Sequence, residues 1–352
     1  MLQKTPNVRD PQQAAALASL AYSVDSSPGI MRRRKGKGFC YYAPDGRPVR
    51  DPETLQRIRS LAIPPAYDDV WISPDPNGHL QATGRDQRGR KQYRYHPRWG
   101  EIRGDAKFSS LAAFAEALPA IRCRVDADLR RRGLPRDRVL ASAVWLLQNT
   151  LIRIGNHTYA RDNKSYGLTT LRSRHVAVDG SRLKFRFKGK SGKEWNLQLV
   201  DRRIIRVMRS MQELPGQALF QYLDDEGQRR IIRSDDVNAY LREISGADFT
   251  SKHFRTWAGT VNAVGLLRAI TLPDTKAGTA RALNAAIDQV ASRLGNTRAV
   301  CRSSYVHPRV IEDWLAGRLA ADLDRIDSSF NEPISGLDAD ETLILKWLVE
   351  RG

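Results

Sequence analysis

Cysteine is scarce in this 352-residue chain: Cys40, Cys123 and Cys301 lie far apart, with no CxxC pair among them. Three such residues supply neither a disulfide framework nor a zinc site, and they suit a reducing cytoplasm. The six histidines show no HExxH pair and no Cys/His cluster. A GxxxxGK[ST] phosphate loop is also missing, so a mechanism driven by ATP or by a resident metal is disfavoured. No apolar run approaches the roughly 18 residues of a membrane span, and the first 22 residues lack the basic-then-apolar layout of a secretory signal. Carboxylates are few as well. Against 58 Lys and Arg stand 39 Asp and Glu, a formal charge of +19. A chain with 41% apolar residues builds real cores, and one this cationic has nucleic acid as its expected large partner. A solvated basic surface would give the same count, so charge alone decides nothing.

The excess charge is spread along the chain, with +8 in residues 1–104 and +11 in the remainder. Pro and Gly are dense through residue 104, after which helical periodicity takes over. The expected architecture is α+β: a small, mixed, strand-rich N-terminal domain over 1–104, then a larger, mainly α-helical domain over 105–352 that contains a three-stranded antiparallel sheet. In the first domain, strands are predicted at 38–42, 69–73, 79–83 and 92–95, with a short helix at 53–62. In the second, Leu140, Val144, Leu147, Leu151 and Ile154 recur at helical spacing up to Gly155–Asn156. Asp179–Gly180 then signals a hairpin. Leu183, Phe185 and Phe187 alternate with charged residues, Ser191–Gly192 makes a second turn beside Lys190, and Trp195, Leu197 and Leu199 alternate again. Further helices are predicted at about 202–213, 235–244, 251–268, 278–294, 308–320 and 339–350.

Several cations fall at special points of this layout. Arg153 is predicted in the last turn of a helix, Lys190 on a tight turn, and Arg255 in the first turn of a helix. Asn296 follows Gly295 at a helix end, and Tyr305 comes nine residues later. Each has an ordinary reading: carboxylate partner, solvated turn lysine, helix C-cap, packed tyrosine. Singly, the ordinary reading wins for every one.

Together they form an ordered series: RIGN, NKSYGLTTL, FKGK, KHFRTW, then LGN followed by SSY. That series resembles the type IB DNA topoisomerases, in the compact poxvirus-like and bacterial branch. The stretch IPPAYDDVWISPDPNGHLQATGRDQRGRKQYRYHPRW resembles the DNA-clamping N-terminal domain of the same branch. The resemblance covers roughly residues 35–320. It implies a tyrosine recombinase/topoisomerase IB-like fold and a monomer clamped on double-stranded DNA, cytoplasmic and nucleoid-associated, needing no nucleotide cofactor, metal or membrane.

The resemblance also implies roles. Tyr305 would attack a phosphodiester to form a 3′-phosphotyrosyl link, Arg153 and Arg255 would hold the non-bridging oxygens, and Lys190 would protonate the 5′ leaving oxygen. Asn296 stands where many members have histidine, so it is assigned to transition-state binding only. These residue types suit the chemistry in their own right, because two guanidiniums match the charge that develops on a phosphoryl group, and covalent storage of the bond removes the need for ATP. Arg90, Gln92, Tyr93 and Tyr95 are the expected DNA contacts, since RKQYRY interleaves donors with aromatics; the competing reading puts one of the tyrosines in the core. The run Arg32–Arg33–Arg34–Lys35 with Lys37 reads as a mobile phosphate-binding arm, and the segment around Tyr159 and Tyr166 as support for Arg153.

Two alternatives stay open on the residues. A tyrosine recombinase shares the Arg, Lys, Arg and Tyr set, but it usually carries HxxR where this chain has Lys252–His253–Phe254–Arg255, and a helical N-terminal bundle where this chain has strands. A non-catalytic DNA-binding protein on the same fold would fit the charge and RKQYRY equally well.

Overall fold

The computed structural model describes residues 10–36 and 38–351. The chain divides into two compact units, one up to residue 109 and the other from residue 110; both ends of that division lie within one long helix.

In the first unit, a helix α1 (Pro11–Leu17) precedes the hairpin β1 (Ile30–Lys35) and β2 (Gly38–Tyr42). Next come helix α2 (Pro52–Ser60) and strands β3 (Asp68–Ile72), β4 (Leu80–Arg85) and β5 (Lys91–Tyr95). They form one antiparallel sheet in the order β2-β1-β3-β4-β5. Asp51 starts α2 by accepting the Thr54 N–H at 2.7 Å, with Pro52 at its first turn. Ile58 from α2 packs on Ile30, Val70, Ile72 and Ala82 of the sheet. Each of the buried Ile and Val side chains contributes roughly 1.5–3 kcal/mol.

The arm expected at Arg32–Lys35 is instead strand β1, an interior strand of the sheet. Its arginines have partners within the unit. Arg32 donates to the Pro64 carbonyl at 3.1 Å and lies 4.2 Å above the Phe39 ring, while Arg33 lies over Tyr42. Lys37 lies outside the described residues.

Helix α3 (Pro97–Leu129) leads into the second unit, starting before the predicted end of the strand-rich region. There follow α4 (Arg136–Thr150), α5 (His157–Asn163), strands β6 (Val176–Asp179), β7 (Arg182–Lys188) and β8 (Glu194–Leu199), and α6 (Arg202–Glu213). A small hairpin, β9 (Gln221–Leu223) and β10 (Arg229–Ile231), was not predicted. The rest is helical: α7 (Ser234–Ser245), α8 (Ser251–Arg268), α9 (Lys276–Leu294), α10 (Arg298–Ser304), α11 (Pro308–Leu315), α12 (Leu319–Asp327) and α13 (Ala339–Arg351). The predicted helix at 308–320 is broken near Gly317, which takes φ +72°. The three-stranded sheet has the predicted phase, with Leu183, Phe185 and Phe187 buried. The architecture is mixed α+β, with helix α4 buried on nearly every side. No helix among the described residues is long and apolar enough to cross a membrane.

One buried carboxylate ties three helices together. Glu341 of α13 accepts both Nη atoms of Arg122 on α3 at 2.7 Å and the Trp257 indole N–H of α8 at 3.0 Å. Burial alone would push the Glu341 carboxyl up, but Arg122 and Trp257 outweigh it and hold it below its ordinary value. A depressed carboxyl stabilises the fold above its unfolded pKa and loses that contribution as pH falls through the folded one. We expect Glu341→Gln to lower stability by about 2–4 kcal/mol at neutral pH, because it strands a half-buried guanidinium. Urea melts of both proteins should then converge as pH falls below about 4.

Candidate active site

The RIGN segment begins where α4 stops. Spacing predicts Arg153 inside the helix, but Leu151 takes φ 58° and ends it four residues before Gly155. The cause is local. The Thr150 hydroxyl donates to the Leu146 carbonyl at 2.6 Å and accepts the Ile152 N–H at 3.2 Å, so a side chain takes the N–H that would extend the helix. The irregular segment is then pinned by the chain just beyond NKSYG: Leu168 N–H donates to the Arg153 carbonyl at 2.8 Å, and Thr169 N–H to that of Ile154 at 2.7 Å.

Arg255, the fifth residue of α8, is 3% exposed. The structure brings it together with Arg153, Asn296 and Tyr305. The C-terminal end of α9 organises the group. Gly295, at φ +63°, and Asn296 return their N–H groups to the carbonyls of Ser292 and Ala291, a closed helix end that leaves the last carbonyls facing outward. Arg255 Nη2 takes the Leu294 carbonyl at 2.7 Å, and Arg153 Nη2 takes that of Gly295 at 3.0 Å. Arg255 Nη1 donates to the Leu151 carbonyl, and Arg153 also donates to Asn296 Oδ1. Both guanidiniums donate to oxygens of neutral amides, so the ordinary reading, an ion pair with a nearby carboxylate, does not hold among the described residues. Burial lowers the pKa of both from the usual arginine range, while Tyr305 pulls each back up.

Tyr305 caps α10, a short helix that the spacing from LGN to SSY did not reveal. Its ring lies 5.0 Å from the Arg255 guanidinium carbon, and its phenol acts on the charge of both arginines. Three buried nitrogens in this group have no protein partner: Arg153 Nη1, Arg255 Nε and Asn296 Nδ2. The amide orientation of Asn296 follows from chemistry, since only its oxygen can accept from Arg153, and its NH2 is therefore left to donate.

Lys190 shares a cleft with Arg153 of this cluster. It is exposed, in the turn between β7 and β8, and lines that cleft of about 410 Å³ together with Asn156, Tyr159, Tyr166 and Trp195.

In the first unit, Arg90, Gln92, Tyr93 and Tyr95 lie on or beside β5, an edge strand. Tyr93 and Tyr95 are 48% and 46% exposed and stack at 6.0 Å, so neither is a core residue. Asp86, which sequence reasoning missed, accepts from Arg90 Nε at 2.8 Å and from Gln92 Nε2 at 3.0 Å. The bond from Arg90 holds the Asp86 carboxyl down at about 2.

The family model of the eukaryotic DNA topoisomerase I catalytic core matches residues 98–321, and that of the bacterial DNA topoisomerase IB N-terminal domain matches residues 38–86. The chain is 33% identical to DNA topoisomerase 1B of Acanthamoeba polyphaga mimivirus over 291 residues, covering 81% of this chain and 87% of the relative. The chain belongs to the type IB DNA topoisomerases. Vaccinia virus (strain Copenhagen) DNA topoisomerase 1B is 21% identical over 271 residues, covering 74% of this chain and 81% of the relative. Monkeypox virus DNA topoisomerase I is 22% identical over 270 residues, with the same two shares.

A glycine packed against Tyr305 has a steric reason to be there. Gly259 lies one helical turn beyond Arg255 on α8. A Cβ there would stand 2.4 Å from the Tyr305 carbonyl oxygen and 3.1 Å from its Cβ. Thr260 adds a link, its hydroxyl accepting the His307 N–H at 3.2 Å. The signal in the sequence was a glycine inside a helix, where it costs about 1 kcal/mol relative to alanine. Gly259→Ala should displace the Tyr305 backbone and lower stability by about 1–3 kcal/mol, read from urea melts of both proteins.

Proposed function

We propose that this enzyme relaxes positive and negative supercoils by cutting one strand of duplex DNA through Tyr305, letting the duplex swivel, and resealing the strand. The observation that carries the reading is the pair of buried guanidiniums without carboxylate partners, which flank the Tyr305 side chain together with unpartnered N–H donors. Such a pocket lacks an anion, and a phosphodiester supplies one of matching geometry.

In the proposed step the Tyr305 hydroxyl gives its proton to solvent and its oxygen bonds to phosphorus as the P–O5′ bond breaks. Arg153, Arg255 and the Asn296 NH2 hold the non-bridging oxygens. Lys190 gives a proton to the departing O5′, leaving a 3′-phosphotyrosyl link and a 5′-hydroxyl. Religation is the reverse. One phosphoester is exchanged for another, so no ATP is consumed, and the guanidiniums supply the charge stabilisation that other phosphoryl-transfer enzymes take from a metal. Arg90, Gln92, Tyr93 and Tyr95 would serve as duplex contacts of the N-terminal domain, with the protein acting as a monomer. Work on chromosomal DNA would keep it in the cytoplasm at the nucleoid of a bacterial cell.

Plasmid relaxation in EDTA without ATP tests the reading directly. Wild type should relax both signs of supercoil and leave a 3′-linked protein–DNA adduct after an SDS quench. Tyr305→Phe should lose both activities while binding duplex nearly unchanged. Relaxation by the Phe variant would exclude Tyr305 as nucleophile, and sequence-dependent adducts without relaxation would favour a recombinase. Lys190→Ala should slow cleavage of ordinary DNA by about 100-fold or more, and far less when the 5′ leaving group is a thiolate, which needs no proton.

A further inference from the structure

The turn that carries Lys190 is closed by its own backbone, with Gly189 N–H donating to the Lys193 carbonyl at 2.7 Å and Gly192 N–H to that of Gly189 at 3.1 Å. Lys190 itself is exposed, and Ser191 beside it takes φ 63°. A flexible lysine on such a turn reaches a given oxygen only a fraction of the time.

One buried side chain bridges this turn to the end of α9. Trp195 of β8 is 7% exposed, pairs across the hairpin with Phe187, and stacks on its ring at 6.1 Å with the planes 5° apart. The N–H edge of its indole abuts two glycines. A Cβ on Gly189 would lie 2.6 Å from Trp195 Nε1, and a Cβ on Gly295 would lie 2.8 Å from Trp195 Cζ2. Gly189 directly precedes Lys190, and Gly295 directly precedes Asn296. Lys193, in the same turn, adds a second tie by donating its ammonium to the Ser292 carbonyl of α9 at 3.1 Å. Gly295 is also the residue whose carbonyl holds Arg153.

We infer that Trp195 is a positioning residue for the proton donor: its indole fixes the Lys190 turn against the Gly295–Asn296 turn and so sets the reach of the Lys190 ammonium to the leaving oxygen. The inference rests on the proposed role of Lys190. It distinguishes Trp195 from a core aromatic whose loss would loosen the whole site, because only a failure of proton delivery depends on what is leaving.

The test is single-turnover cleavage of two duplexes that differ only at the scissile bridging atom, 5′-oxygen or 5′-sulfur, with Lys190→Ala as reference. Trp195→Ala should cleave the oxygen substrate about 100-fold more slowly than wild type and the sulfur substrate only a few-fold more slowly, and Trp195→Phe should recover most of the loss. Gly189→Ala, which drives a methyl into the indole, should show the same selectivity; if Trp195→Ala does not fold, this variant decides. Selective loss for Lys190→Ala with equal losses on both substrates for Trp195→Ala or, failing that variant, Gly189→Ala would overturn the inference alone. Equal losses for Lys190→Ala would remove the proton-donor reading, and the inference with it.

Discussion

Two arginines are held at the end of α9 by main-chain carbonyls, and the arrangement of the site follows from that choice of partner. Leu294 and Gly295 offer their oxygens to Arg255 and Arg153 because the closed helix end leaves them outward-facing. A helix C-terminus carries roughly half a negative charge. It offsets part of the several kcal/mol that burying a guanidinium costs, and it does so without a carboxylate. An acidic partner would have satisfied the charge and then competed with any incoming phosphate. Carbonyls hold the fork in place and leave its positive charge available.

Helix α8 turns this electrostatic pocket into a geometric one. Arg255 and Gly259 are one turn apart on its surface, so the guanidinium and the seat of the Tyr305 backbone belong to a single rigid element. Trp257, between them, is tied to Glu341 of the last helix and through it to Arg122 of α3. The residues after Tyr305 therefore have a mechanical role: α13 braces the helix against which Tyr305 rests.

The sequence was legible where a period or a punctuation mark carried the information. Alternation of Leu183, Phe185 and Phe187 fixed the phase of the sheet that ends in Lys190, and Leu-Gly-Asn marked the close of α9. Order and spacing of short motifs singled out Arg153, Arg255, Asn296 and Tyr305, which the fold brings together. Illegible features were those made by side chains capturing backbone or by contacts between distant segments. Thr150 ends α4 without a Gly or Pro, and β1 hides its strand character in arginines that bind carbonyls and aromatic rings. Trp195 and Gly259 act through glycine contacts far away in sequence or on another helix, and no local pattern announces those.

Asn296 shows how a departure from the family pattern can keep the hydrogen-bond count intact. Its oxygen accepts from Arg153 and its NH2 is left to donate, which is the accept-one, donate-one pattern of a neutral imidazole. A histidine in this place, next to two guanidiniums, would be discouraged from gaining a proton by their charge, yet it would remain titratable near neutrality. The amide has no such second state. In the proposed transition state it offers one fixed donor to a phosphate oxygen at any pH the fold tolerates. The charge that balances the phosphoryl group then comes from Arg153 and Arg255 alone.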